Sequence, residues 1–281
     1  MPWQVGNVTI TRVVEIEGPT TATWVLPDAV PEALARIPWL GPGFVRPDGK
    51  LLMSVHALVI ASQGRRILVD TCVGNDKRRT VSAWNQRTGP FLEELAAAGC
   101  ARESIDRVVC THLHVDHVGW NTMRQGGAWV PTFPNARYLI GRAEWAHVQG
   151  APEDPEEPVV SDSVRPIVDA GFVDLVDVDA KFTDEVWLEP TPGHTPGHVS
   201  VHIRSGGASA VITGDVMHHP CQVARPDWAS RFDWNVELAR RTRRQELARW
   251  AAEELLVIGT HFPAPTAGTI VEDGDGFRFA V

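Results

Sequence analysis

The sequence contains no apolar stretch that approaches the roughly 18 residues of a membrane-spanning helix. Its beginning, MPWQVGNVTITRVVEI, lacks the basic and apolar regions of a secretory signal and has the pattern of a first strand. The four cysteines form neither a C-x-x-C pair nor a zinc-ribbon spacing, which is typical of buried free thiols in a reducing compartment. We therefore expect a cytoplasmic protein without a membrane partner.

Positive charge is scarce too, with 26 Lys and Arg residues against 35 Asp and Glu residues and a net charge of −9. Because nucleic acids are bound through basic surfaces, this balance argues against a nucleic-acid partner. The G-x-S-x-G motif that positions a serine nucleophile is also absent. We expect a small-molecule partner for a chain that is 43% hydrophobic, enough for a sizeable core.

Strand patterns dominate the 281 residues, with a few helices between them. Apolar and alternating runs predict strands at about residues 7–16, 55–61, 66–71, 107–111, 136–140, 172–178, 185–189, 199–204, 209–213 and 255–259. Helices are predicted at about residues 90–98, 142–149, 161–170 and 235–254. This pattern favours an α/β fold in which helices cover sheets, as one domain over residues 1–281.

Two further segments have a distinctive composition. The proline-rich residues 19–50 are predicted to form a loop or arm, either beside the active site or at the subunit interface of a homodimer. The last predicted helix carries four arginines, which we interpret as a solvated face. These are Arg240, Arg241, Arg243 and Arg244.

The segment THLHVDH, residues 111–117, places four potential metal ligands at the end of the strand-like run RVVC. The H-x-H spacing of His112 and His114 puts both side chains on one face of an extended segment, so the two can bind one ion. Asp116 and His117 follow in a turn and can reach a second ion nearby. The carboxyl ends of strands are where open α/β folds place their ligand sites.

Three downstream segments supply more ligands of the same type. PTPGHTPGH contains His194 and His198, VITGD ends in Asp215 after a strand, and LLVIGTH ends in His261 after another strand. A dinuclear site needs about six protein ligands and often a shared carboxylate. The sequence therefore contains enough candidate ligands for two metal ions.

With these motifs, the sequence resembles the dinuclear hydrolase branch of the metallo-β-lactamase fold superfamily, from about residue 55 to residue 262. The resemblance implies an αββα four-layer sandwich, with two mixed β-sheets face to face and helices on the outer faces. It also implies that His112, His114 and His194 bind one metal ion. Asp116, His117 and His261 would bind the other, and Asp215 would bridge both.

The ligand set predicts hydrolysis by a hydroxide that two divalent cations share, with Asp116 and Asp215 among the catalytic residues. Histidine and carboxylate ligands suit zinc, although manganese, cobalt and iron are alternatives. We expect Asp70, at a strand end, to support the metal-bound histidines. His198 is interpreted as a structural hydrogen-bonding residue rather than a ligand.

Three residues near the motifs are candidates for contact with substrate, namely Trp120, His218 and His219. In acyl-homoserine lactonases of this superfamily, a tyrosine tends to stand three positions after the bridging Asp. Here that position is His218, and GDVMH looks like the methyl parathion hydrolase-type subgroup instead. His218 is therefore predicted to be catalytic or to bind substrate.

The leading hypothesis is a hydrolase for a small, mostly apolar lactone or carboxylic ester. A phosphotriester is the closest alternative, because the same hydroxide can attack phosphorus. A glyoxalase II-like thioesterase shares the ligands, but the chain continues only twenty residues past His261 and lacks that family's C-terminal extension. The alternative that is not an enzyme is a degenerate metal-binding module.

Overall fold

The computed structural model describes residues 2–281, which form fifteen strands and seven α-helices. The strands are β1 (Trp3–Val5), β2 (Val8–Thr20), β3 (Leu51–Ser62), β4 (Arg65–Val69), β5 (Arg107–Cys110), β6 (Thr122–Gln125), β7 (Ala128–Pro131), β8 (Arg137–Gly141), β9 (Val173–Val176), β10 (Val186–Pro190), β11 (Val199–Ser205), β12 (Ala208–Ile212), β13 (Leu256–Ile258), β14 (Ala267–Asp273) and β15 (Gly276–Ala280). The helices are α1 (Ala22–Val25), α2 (Pro31–Leu34), α3 (Phe91–Ala97), α4 (Arg142–Val148), α5 (Arg165–Asp169), α6 (Cys221–Ala224) and α7 (Val236–Ala252).

Two mixed sheets contain thirteen of these strands. The first has the order β1-β2-β3-β4-β5-β8-β9, and its last four strands are parallel to one another. The second has the order β10-β11-β12-β13-β14-β15, with one parallel pair, β12 and β13. Strands β6 and β7 form a separate hairpin.

The core follows the alternation of side chains along the strands, which sends successive residues to opposite faces. Val109 packs between the two sheets together with Val201 of β11, whereas its neighbour Val108 packs on the outer face with Phe91 and Leu95 of α3. Helix α7 covers the outer face of the second sheet through residues such as Trp250. These layers confirm the predicted αββα sandwich.

The sequence analysis missed several strands at the edges of the sheets. The hairpin of β14 and β15 follows the last predicted strand, and its residues Glu272 and Asp273 next to the turn are exposed, so the apolar alternation covers only part of it. The predicted helix at 161–170 begins instead as a π-helical turn, Val160–Val164, and becomes α5 only from Arg165. Pro166, at the start of α5, lacks the N–H that would continue the preceding helix.

The segment 19–50 is ordered and packs on the chain's own C-terminal half. Helices α1 and α2 share an apolar cluster with Cys221 and Trp228, and Arg231 N–H donates to the Val25 carbonyl at 3.0 Å. Among residues 2–281, no helix combines the length and apolar character that crossing a membrane requires. The four cysteines are all buried and unpaired.

Candidate metal centre

Four loops, each following a strand, converge at one edge of the sandwich. The loop after β5 carries the HLHVDH segment, and the loop between β10 and β11 carries His194. Asp215 lies in a short helical turn after β12, and His261 follows β13. Because strand ends bring these loops to one place, residues more than 140 positions apart in sequence become neighbours.

The first candidate ligand set combines His112, His114 and His194, whose ligand nitrogens all lie within 4.8 Å of one another. His194 Nε2 is 2.9 Å from His114 Nδ1. The two rings are nearly perpendicular, with their centroids 4.6 Å apart. Three imidazole nitrogens around one point are a typical ligand set for zinc.

The second set combines Asp116, His117 and His261, again within 4.8 Å. His261 Nε2 lies 3.2 Å from His117 Nε2 and 3.6 Å from Asp116 Oδ2. The Nδ1 atoms of both histidines have acceptors, the Asp70 carboxylate for His117 and the Ser54 carbonyl for His261. In their neutral forms the two rings therefore direct bare lone pairs at each other, an arrangement that a cation between them stabilises.

Asp215 lies between the two sets, and its two oxygens face different sides. Its Oδ2 is 3.3 Å from His194 Nε2 and 3.8 Å from His112 Nε2. Its Oδ1 is 3.5 Å from His117 Nε2 and 3.2 Å from His261 Nε2. This is the placement that a carboxylate shared by two cations requires.

Buried polar atoms without partners show that the residues fit such a metal pair. His112 Nε2 and Asp215 Oδ1 are inaccessible to solvent and have no hydrogen-bond partner among the described residues. A buried polar atom left unpaired is costly, whereas the same atoms are satisfied as metal ligands.

The pKa values of the histidines differ between the two sets. Burial lowers the pKa of His114 to about 4, and burial also lowers the pKa of His112 and His194 well below the usual range. These three rings are neutral, as metal ligands must be. Burial also lowers the pKa of His261, but the carboxylates of Asp215 and Asp116 outweigh it and raise the value to about 9. A proton thus compensates carboxylate charge at the place where we expect the second cation.

Asp70 follows β4 and holds the loop that carries the first ligands. Its carboxylate accepts from Thr111 N–H and Thr111 Oγ1, both at 2.8 Å, and from His117 Nδ1 at 2.8 Å. Its backbone has a φ of +56°, an uncommon conformation for a residue other than glycine. These contacts orient the His117 ring, in the way we expect of a residue that supports a metal ligand.

Both ring nitrogens of His198 are occupied by protein groups. Its Nε2 accepts from Asp215 N–H at 2.8 Å, and its Nδ1 donates to the Thr191 carbonyl at 3.0 Å. Gly214 permits the close approach, because a Cβ there would lie 2.5 Å from His198 Nε2. His198 therefore holds the backbone of the bridging carboxylate and has no nitrogen left for a metal ion.

Two buried carboxylates at the site were missed by the sequence analysis. Asp233 Oδ1 lies 3.0 Å from His194 Nδ1, and Glu144 accepts from the backbone of both ligand loops, at Leu113 and Gly197. Neither carboxylate belongs to a motif, so only the folded chain identifies them.

The interpretation of the arginine run as a solvated face is wrong for Arg243, which is fully buried. Its guanidinium donates to the carbonyls of Val216, Pro226 and Trp228 and lies 3.7 Å from Asp233 Oδ2. Helix α7 turns this side chain inward, toward the loop that carries Asp233.

Replacing Asp233 with alanine is expected to weaken metal binding about 10- to 100-fold, because His194 loses the acceptor that fixes its ring. Competition with a chromophoric chelator measures this affinity directly. Asp227→Ala is the matched control, since Asp227 is exposed and pairs only with Arg244 at the surface. Equal metal affinity in the Asp233→Ala and Asp227→Ala variants would contradict the assignment.

The three predicted substrate contacts lie in different environments. Trp120 is buried in the core, where it stacks on Phe91 and its Nε1 donates to Glu15 at 2.7 Å. His219 is also buried, and its ring nitrogens contact the Phe44 carbonyl and Cys221 N–H. We therefore do not assign either residue to substrate.

His218 is the exception, because it faces the metal centre. Its Nε2 is 3.2 Å from Asp215 Oδ2, and neither ring nitrogen has a hydrogen-bond partner among residues 2–281. The ligand atoms of His194, Asp215 and His218 also lie within 4.8 Å of one another. His218 is thus a further candidate ligand beside the seven of the motifs.

Known proteins share both this sequence pattern and this fold. A family model described as the metallo-beta-lactamase superfamily matches residues 52–249. An N-acyl homoserine lactonase from Bacillus sp. is 29% identical over 180 residues, which are 58% of this chain. The chain spans 64% of that lactonase's length, slightly less than two thirds.

Two solved structures have similar folds. One is AidC, a dizinc quorum-quenching lactonase in complex with a product, with a TM-score of 0.81, 22% identity and coverage of 99% of this chain and 96% of that chain. The other is the hydrolase AbOPH, with a TM-score of 0.79, 23% identity and the same coverage. The family match over more than half of the sequence, together with the four-layer sandwich, shows that this chain belongs to the metallo-β-lactamase superfamily.

Proposed function

We propose that this protein is a metal-dependent hydrolase that opens the ester bond of a lactone, with N-acyl homoserine lactones as the first substrate class to test. The observation that carries the proposal is the position of Asp215, whose two oxygens face separate histidine sets. The N-acyl homoserine lactonase among its sequence relatives favours a lactone over the phosphotriester and thioester alternatives.

In the proposed site, His112, His114 and His194 hold one cation, while Asp116, His117 and His261 hold the other. Asp215 links the two, and zinc is the expected metal because nitrogen and carboxylate ligands suit it. When bound, two divalent cations polarise the ester carbonyl and lower the pKa of water, so that hydroxide is available near neutral pH.

Two residues of the chain are positioned to act on the substrate itself. Asp116 has the most exposed of the carboxylates at the site, with 14% of its side chain accessible, so we assign it the transfer of a proton from the attacking water to the departing alcohol. His218 has two unpaired ring nitrogens beside the metal ligands, so we assign it the orientation of the substrate carbonyl through a hydrogen bond.

An aromatic rim beside the metal centre favours an apolar substrate. Phe232 and Trp234 are 40% and 55% exposed, which is unusual for large apolar side chains. They flank Asp233, and Trp234 N–H donates to the His194 carbonyl at 2.9 Å. Trp24 of α1 packs edge-on against Phe232 at 5.2 Å. We propose that these three side chains, the aromatic rim, contact the acyl chain of the substrate.

A substrate panel on the zinc-loaded protein tests this function. We expect the highest kcat/KM for N-acyl homoserine lactones with apolar acyl chains, lower values for simple γ- and δ-lactones and aryl esters, and the lowest for paraoxon-type phosphotriesters. Turnover of a phosphotriester above every lactone, or the absence of any hydrolysis by protein with two bound metals, would contradict the proposal.

Trp234→Ala separates the role of the aromatic rim from that of the metal centre. We expect KM for a long-chain acyl lactone to rise about tenfold, because several methylene groups of the acyl chain lose contact. KM for a short lactone should stay within about twofold. Trp187→Ala, a half-buried tryptophan on β10, is the control. An equal loss for both chain lengths would show that Trp234 does not contact the acyl chain.

A further inference from the structure

Away from the metal centre, Lys77, Arg78 and Arg79 form three consecutive positive charges in a chain whose net charge is −9. They lie in the long connection between β4 and α3. The proposed hydrolysis uses none of them. These three adjacent cations are therefore available for a separate role in this acidic chain.

Two of these cations are buried and share one carboxylate. Arg79 NH1 is 2.8 Å from Asp162 Oδ2, and Lys77 Nζ is 3.6 Å from Asp162 Oδ1. The side chains of Lys77 and Arg79 are fully buried, and that of Asp162 is 5% exposed. Two buried basic side chains therefore share one buried carboxylate.

Burial lowers the pKa of Lys77 to about 7, while the Asp162 carboxylate acts to raise it and the Arg79 guanidinium acts to lower it. Its ammonium contacts Thr122 Oγ1 and the Asp162 carbonyl and lies 3.7 Å above the Trp129 ring. Apart from Asp162, these contacts are uncharged.

A cavity of about 580 Å³ opens beside this pair, within the size range of small-molecule sites. Its lining is polar and contains none of the metal-centre residues; it consists of Arg78, Arg79, Asn85, Gln86, Arg124 and Glu156. The lining thus contains three arginines and one glutamate.

The arginines of the lining have unused hydrogen-bonding capacity. Arg78 and Arg124 are exposed, and neither has an acidic partner within 4.0 Å among residues 2–281. Arg79 is 3% exposed, yet its Nε has no hydrogen-bond partner in the described chain. Asn85 accepts from Arg79 N–H through Oδ1, which leaves its side-chain nitrogen available.

We propose that this cavity, the arginine cavity, binds a small organic anion through a phosphate or carboxylate group. The planar guanidinium groups of Arg78 and Arg124 match such oxyanions and form paired hydrogen bonds with them. The anion supplies the acidic partner that the exposed Arg78 and Arg124 lack among residues 2–281. The site is separate from the metal centre and does not depend on the reaction proposed above.

Isothermal titration calorimetry on the metal-loaded protein, at constant ionic strength, tests the arginine cavity. Glucose 6-phosphate and succinate are the two probes, and glucose is the uncharged control. We expect at least one anion to bind and glucose not to bind. Binding of the phosphate alone assigns an organic phosphate, and binding of succinate alone assigns a carboxylate. Failure of both anions to bind overturns the proposal.

Variants separate this cavity from the metal centre, where anions also bind. Arg78→Ala combined with Arg124→Ala should weaken binding at least about tenfold while leaving lactone turnover within about twofold, because each lost charged hydrogen bond contributes substantially. Arg241→Ala, an exposed arginine on α7, is the control and should change nothing. Unchanged binding in the double variant, or an equal loss in the control, overturns the assignment.

Discussion

Asp215→Ala is expected to lose hydrolysis and cation binding together, with kcat/KM lower by about 10³-fold or more. Among residues 2–281, Asp215 has the one carboxylate whose oxygens lie within 4.0 Å of histidine nitrogens of both sets, so its removal would separate the two proposed cation sites and leave hydroxide formation without its pair of charges. A loss of several kcal/mol of transition-state stabilisation corresponds to a rate effect of about this size. Lactone kinetics and metal content per chain measure both consequences.

The fold of this variant should persist, because the bond that holds the loop is made by the backbone. Asp215 N–H donates to His198 Nε2, and alanine retains this donor. Asp174→Ala is the control, since Asp174 pairs with Arg137 at the surface and touches no candidate ligand. Full turnover with two metals in Asp215→Ala would show that the bridging assignment is wrong.

Removing the metals with a chelator should make stability depend strongly on pH. In the apoprotein, the pKa of His261 is raised to about 9, above the 6.5 of an ordinary histidine. The stability that this protonated ring contributes is therefore fully present below pH 6.5 and is lost as the pH rises to 9. His117, whose pKa the carboxylates of Asp215, Asp70 and Asp116 raise against the effect of burial, acts in the same direction.

On the acid side the sign reverses. The pKa of His114 is lowered by burial to about 4, so the apoprotein loses stability as the pH falls from 6.5 toward 4. His112 and His194 add to this loss for the same reason. The apoprotein should thus be most stable near pH 6.5, with a decrease on the order of 3 kcal/mol by pH 9.

Urea unfolding at several pH values measures this profile, with the metal-loaded protein as the control. Between pH 6.5 and 9 the loaded protein should keep its stability, because metal ions rather than protons occupy the ring nitrogens. An apoprotein whose free energy of unfolding is the same at pH 6.5 and 9 would contradict the charge assignment of His117 and His261.

The sequence predicted the layered architecture well because strand patterns and strand-end motifs are local. An apolar strand precedes each of the ligand segments, and such a strand can be recognised in the sequence alone. The segments are HLHVDH, His194, Asp215 and His261. The sequence analysis missed the strands at the edges of the sheets. In the β14–β15 hairpin, the exposed acidic residues Glu272 and Asp273 interrupt the apolar alternation near the turn.

Residues that contact the candidate metal ligands from other parts of the chain could not be identified from sequence motifs. Asp233, 39 positions from His194, and Glu144, 31 positions from Leu113, contact the ligand loops only after folding. Trp120 and His219 stay predictions as substrate contacts, and in the structure their side chains contact Glu15 and the Phe44 carbonyl instead of the metal centre. The partners of a side chain depend on which elements pack together, and sequence distance carries little information about that.

By itself, then, the sequence determined the ligand types and their order along the chain, and with them the superfamily. Only the tertiary structure decided that the two Asp215 oxygens face different histidine sets, that Arg243 turns inward beside Asp233, and that Lys77 and Arg79 share a single carboxylate. The physical reason is that motifs are encoded by neighbouring residues, whereas charge balance and hydrogen-bond pairing depend on distances between segments that meet only when the sheets pack.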